Sequence, residues 1–161
     1  RAMEIISFAI NLEHIGDIVD KNLCELATKK IKHRFQFSPE GAAELSEFHR
    51  LTMESLRIAF GVFMSGDVNE ARKLLAEKAT LRSFELEATE RHLERLREGR
   101  PESIETTSLH LDVLRDLKRI HSHICSVAYP VLDAAKASGE STEAATERLP
   151  SSHSTAHPSA N

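Results

Sequence analysis

Glycine and proline are missing from long stretches of this chain, and that absence constrains its fold more than any motif does. Neither occurs between Asp67 and Glu98, nor between Glu102 and Tyr129. A sheet protein of this size needs turn residues every several positions, so runs of this length predict helix. Aromatic and β-branched material for strands is also thin, with no Trp and one Tyr, Tyr129. The expected class is all-α.

Four long helices follow from the periodicity. The first runs over residues 1–32, with Ile5, Leu12, Ile15, Val19, Leu23 and Leu26 gathered on one arc at about 100° per residue. "RFQFSPEGAAEL" breaks and restarts the chain: Ser38 is an N-cap, Pro39 suits the first helical position and Glu40 suits the positive helix end. The second helix, 39–65, offers Leu45, Phe48, Leu51, Leu56, Ala59, Phe60 and Phe63, and Gly66 closes it. The third, 67–98, opens on Asp67 and Glu70 at capping-box spacing and carries Leu74, Leu81 and Ala88 seven apart. Its end, "ERHLERLREGR", reads as a solvated face with pairs such as Glu87–Arg91. The fourth spans 104–138, with a kink expected at Pro130. Short connections between long helices predict an antiparallel bundle over residues 1–138. From 139 to 161 the composition turns to Ser, Thr, Ala, His and Pro, and a disordered tail is expected there.

Charge and length exclude several functions. A formal net charge of −4 argues against a nucleic-acid binder. The basic block Lys29, Lys30, Lys32, His33 and Arg34 is placed where cations complement a helix C-terminus. Cys24 and Cys125 lack a paired spacing and are expected to be small buried hydrophobes in a reducing compartment. The charge-free stretches Ile5–Leu12 and His121–Leu132 fall short of the about 20 residues that cross a bilayer, so no direct membrane insertion is expected. The opening "RAMEIISFAI" is already in helical register without a cap, which suggests a longer parent.

One constellation stands out on the first helix. Glu13, Asp17 and Asp20 lie at i, i+4 and i+7, a line of carboxylates along one side. Gly16 among them costs roughly 0.5–1 kcal/mol relative to alanine in a helix interior, which suggests close approach by another helix. On the fourth helix Ser122 adjoins His121 and His123, but neighbours on a helix point about 100° apart and no nucleophile–base pair follows. His121 is expected to be a satisfied core or boundary histidine. Asp112 and Asp116 are read as solvated, and His153 and His157 fall in the tail. No enzyme is predicted.

Offsetting the first helix by 105 sets Leu12 on Leu117, Ile15 on Ile120 and Val19 on Ile124, a weak internal repeat. "LEHIGDIVDKNL" resembles the signature of PhoU-type helical bundles, and "SLHLDVLRDLKRIHSHICSVAYPVL" resembles a degenerate second copy. The second copy is similar to the form found in the cytoplasmic C-terminal domain of bacterial Na+/phosphate cotransporters. The resemblance implies that the first helix ends one three-helix repeat and that the other three helices form the next. It implies a non-catalytic regulatory domain of a sodium-dependent phosphate transporter, at the cytoplasmic face of the plasma membrane. Its partner would be the transmembrane region of the same polypeptide, with a homo-oligomer also compatible. The alternative it implies is a stand-alone metal-binding adaptor in phosphate signalling, holding a divalent or iron-type metal at Glu13 and Asp17, with Asp20 a third donor. In the second copy Lys118 replaces the Glu and Ser122 the Asp, so a symmetrical metal site is expected to be lost. Lys118 is instead expected to pair with Glu13 or Asp17 where the helices pack, making Gly16, Lys118, His121 and Ser122 a helix–helix or partner contact.

Overall fold

The computed structural model describes residues 2–146. In chain order it contains α1 (Ala2–Asp17), a π-helical stretch (Ile18–Leu23), α2 (Cys24–His33), α3 (Pro39–Ser65), α4 (Val68–Arg97), α5 (Pro101–Glu105), α6 (Thr107–Cys125) and α7 (Ala128–Thr146). No strand occurs among the described residues. The elements make four rods. α1, the π stretch and α2 are one rod, α3 and α4 are two more, and α6 with α7 continues as the fourth. The rod ends follow the local chemistry. Ser38 Oγ accepts from the Gly41 N–H at 3.1 Å, and Asp67 Oδ1 accepts from the Asn69 and Glu70 N–H groups. Gly66 takes φ +67°, the left-handed conformation that glycine adopts without a Cβ clash.

The fourth rod breaks at Ser126–Val127, four residues ahead of the proline expected to kink it. Pro130 has no N–H for the Ser126 carbonyl, and its ring crowds that carbonyl, so the distortion lies one turn upstream. The backbone there tightens to three-residue bonds, Ser126 N–H to His123 O and Val127 N–H to Ile124 O. Beyond it α7 runs through Gly139 to Thr146; the rest of the expected tail, with His153 and His157, lies outside the described residues.

α6 is central, packing on α1, α2, α3 and α4, while α7 lies on α4 and α3. The interior alternates in layers. One apolar layer holds Phe48, Leu81, Ala88, Leu114 and Leu117. Another holds Ile18, Ala59, Val62, Ala71, Leu74, Ile120, Ile124 and Cys125. Ser55 and His121 form a buried polar layer with Glu77, and Glu44, His92, Arg95 and His110 form another. Burial of the two apolar sets is the main source of cohesion.

The first rod differs from the expected amphipathic helix. The π stretch, marked by the Cys24 N–H bonding the Val19 carbonyl five residues back, shifts the register. Ile18 is buried and Val19 is exposed. Ile5, placed on the core arc by periodicity, is exposed together with Met3, Ile6 and Ile10. No residue of α1 is fully buried. Cys125 is buried, but Cys24, expected in the interior, is exposed.

Candidate functional site

The carboxylate line remains on the surface. Glu13, Asp17 and Asp20 are all exposed, and Asp17 is held by Lys21 one turn on, at 3.0 Å. Asp20 falls within the π stretch, which carries more residues per turn and takes it out of the α-helical line. Among the described residues no three His, Cys, Asp or Glu side chains are placed to hold a metal ion. A divalent ion needs several converging oxygens, so the donors as placed do not fit one.

Asp17 instead borders a recess of about 240 Å³ between α1 and α6, lined by His14, Ile18, Lys21, Asn22, Arg119 and His123. His123 Nδ1 lies 3.0 Å from Asn11 Oδ1, so Nδ1 carries the proton and donates. His14 stacks on the same ring at a centroid distance of 5.0 Å. Burial lowers the His123 pKa, and His14 and Arg119 lower it further. Beside the recess Asp116, read from sequence as solvated, is buried. Asn22 Nδ2 donates to its Oδ1 at 3.3 Å and Arg119 at 3.1 Å, and Arg115 stands 3.6 Å away. The reason is geometric: the face of α6 opposite Lys118 is covered by the first rod.

Lys118, His121 and Ser122 lie on another side of α6, facing α4. Lys118 Nζ donates to Glu85 at 2.8 Å, not to Glu13 or Asp17. The predicted ion pair is therefore replaced by one to α4, because a single α6 face cannot meet both rods. Gly16 also departs from expectation. A Cβ built there meets nothing within 4 Å, so among the described residues no helix approaches it.

His121 joins residues that sequence proximity does not connect. Its Nε2 lies 3.1 Å from Ser55 Oγ, which donates to Glu77 Oε2 at 2.7 Å. The serine proton is committed to Glu77, so Nε2 donates and His121 is the neutral Nε2–H tautomer. Burial, followed by the charge of Lys78, lowers its pKa to about 4. Cys125 Sγ rests 3.6 and 3.7 Å from the two ring nitrogens and donates to the Leu74 carbonyl. Burial pushes that thiol up to about 11, which leaves it protonated and unreactive at neutral pH. Ser55 is fully buried, which keeps its hydroxyl from any substrate, and Ser122 faces solvent.

The end of α4 read as solvated holds the other polar layer. Glu44 Oε1 and Oε2 accept from Arg95, and Arg91 Nε adds a bond at 2.9 Å. Burial raises the Glu44 pKa, but the Arg95 and Arg91 hydrogen bonds outweigh it and the net shift is downward. His92 and His110 stack beside it at 4.6 Å. Burial and the neighbouring His92 take His110 to about 4, with the Glu44 carboxylate opposing. A signal for this layer existed in the sequence: extending Leu81 and Ala88 by seven reaches Arg95.

Comparison with known proteins adds a family. The PhoU domain model matches residues 45–131. The chain is 42% identical over 133 residues to the "Putative inorganic phosphate export protein YjbB" of Salmonella typhimurium strain LT2. It is 41% identical over 133 residues to the protein of the same description in Escherichia coli K12. Each alignment covers 83% of this chain and 24% of the relative, so the chain spans about a quarter of the length of the curated relatives it matches. No solved structure matches it.

Proposed function

The chain belongs to the PhoU domain family, and from that premise we propose that it is a non-catalytic regulatory domain of a phosphate-transporting membrane protein. The observation carrying this reading is the 42% identity, over 133 residues, to a protein described as a putative inorganic phosphate export protein, of which those residues are 24%. Among the described residues no helix is long and apolar enough to cross a membrane, so in this reading phosphate movement and any sodium coupling belong to the rest of the polypeptide. The domain sits at the cytoplasmic face of the plasma membrane and adjusts transport by contact. The apolar strip Met3, Ile5, Ile6 and Ile10, exposed on α1 beside the acids, is the face that meets the rest of the parent. The stand-alone metal adaptor has less support, because Glu13, Asp17 and Asp20 do not converge.

The test is phosphate flux in cells expressing the parent with and without this domain at matched membrane abundance. Deletion is expected to leave flux measurable but insensitive to the phosphate status of the cell. Unchanged regulation and assembly after deletion would sink the proposal.

A further inference from the structure

A groove of about 460 Å³ runs between α4 and α6. Its walls are built one helical turn at a time: Lys78 and Arg82 from α4, Lys118 and Ser122 from α6. Leu75 and Ala79 form an apolar floor, above Phe48, Leu81 and His121, which are buried beneath it. The three cations are not equally engaged. Lys118 is neutralised by Glu85 at 2.8 Å. Among the described residues Lys78 has no acidic partner; it meets the Tyr129 hydroxyl at 3.4 Å and lies 5.9 Å from the centre of that ring. Among the described residues Arg82 has no acidic partner, and the Ser122 hydroxyl has no hydrogen-bond partner. Glu77, next to Lys78, directs a carboxylate oxygen inward to Ser55. Two cations without a counter-charge and a hydroxyl thus face one concave space in a chain whose net charge is −4.

We infer that this groove binds a small phosphate-bearing anion, its phosphoryl group between Lys78, Arg82 and Ser122 and its remaining bulk against Leu75 and Ala79. A phosphoryl group presents several oxygens in a tetrahedral spread and suits donors arriving from two walls, whereas one guanidinium alone would satisfy a carboxylate. A nucleic acid is disfavoured, because the groove is short, the chain is acidic and Glu85 already pairs with Lys118. The volume falls within the about 300–1,000 Å³ of small-molecule sites.

Isothermal titration calorimetry on the 161-residue chain at low ionic strength tests this, with inorganic phosphate in one arm and ADP in the other. Saturable binding of either is expected, at one site per chain. Phosphate and ADP binding alike would identify the phosphoryl group as the whole ligand, and ADP alone would show that the apolar floor contributes; both support the inference. Lys78→Gln and Arg82→Gln are each expected to weaken binding by about tenfold or more. Both residues are exposed, and an unchanged thermal melt confirms the fold of each variant. Glu85→Gln is expected to tighten binding by releasing Lys118, which a structural role for these cations would not do. Absence of saturable binding in both arms, or equal binding by the Lys78→Gln plus Arg82→Gln double variant, would overturn it. This outcome is independent of the transport reading, since binding is measured without flux.

Discussion

Replacing His121 by Gln should flatten the dependence of stability on mildly acidic pH. In the folded protein the ring is neutral, with Ser55, Cys125 and the Lys78 charge around it and Glu77 behind the serine, and its pKa is lowered to about 4. An unfolded histidine titrates near its ordinary 6.5. Between those values the unfolded chain takes up a proton that the folded chain refuses, so acid favours unfolding. The stability contributed by the neutral ring is fully present above pH 6.5, falls as the pH drops toward 4 and declines no further below. At pH 5 an unfolded histidine is almost wholly protonated, and the buried one only about a tenth so. That difference amounts to about 2 kcal/mol lost between pH 7 and pH 5. Urea unfolding at the two pH values measures it, provided the transition is two-state. His110, also lowered to about 4, contributes equally to parent and variant. The informative quantity is therefore the difference between their losses. His121→Gln should lose about 2 kcal/mol less than the parent over this interval. Equal losses, within about 0.5 kcal/mol, would refute the assignment of a buried neutral histidine.

Two further perturbations separate buried from exposed electrostatics and test the first rod. Glu44→Ala leaves Arg95 buried without its carboxylate and should cost about 3 kcal/mol or more by urea unfolding. Glu40→Ala, which removes the exposed pair with Arg100 and a carboxylate in the first turn of α3, should lower the urea midpoint far less than Glu44→Ala does. Gly16→Ala meets open space in this chain and should stabilise it by roughly 0.5–1 kcal/mol. If the proposed transporter closes a helix on this face, the same substitution within it disturbs assembly, which native electrophoresis reads directly.

What the sequence made legible was local. Rod ends were readable because Ser38, Asp67 and Gly66 act on their own neighbours, through caps and a left-handed turn. The break at Ser126 was visible as Pro130 but misplaced by one turn, because a proline's missing bond belongs to the residue four earlier. The buried polar layers were hidden for a different reason. Glu44 meets Arg95 across 51 residues and His121 meets Ser55 across 66, so their pairing is set by which helix faces which. Composition counts such residues as surface, and only their alignment with Phe48, Ala88 and Leu117 betrays them. The register of the first rod was beyond a 3.6-residue count altogether, since the π stretch moves the buried position from Val19 to Ile18.

The offset that lays Glu13 on Lys118 and Asp17 on Ser122 takes on a different meaning once the packing is known. Matching positions in the two helices do not meet the same environment. α1 is covered on one side only, so its acids face water and Asp17 finds Lys21 on its own helix. α6 is covered by several rods, and the corresponding positions open onto α4, where Lys78, Arg82 and Glu85 already stand. Carboxylates at 118 and 122 would there have added to Glu85 and cancelled both free cations. A lysine and a serine do the opposite: one occupies Glu85, and the other supplies an uncharged hydroxyl to the same space. The departure from the acidic motif is thus a change of sign at one wall of a groove, and it accounts for why Lys78 and Arg82 face that groove without a counter-charge.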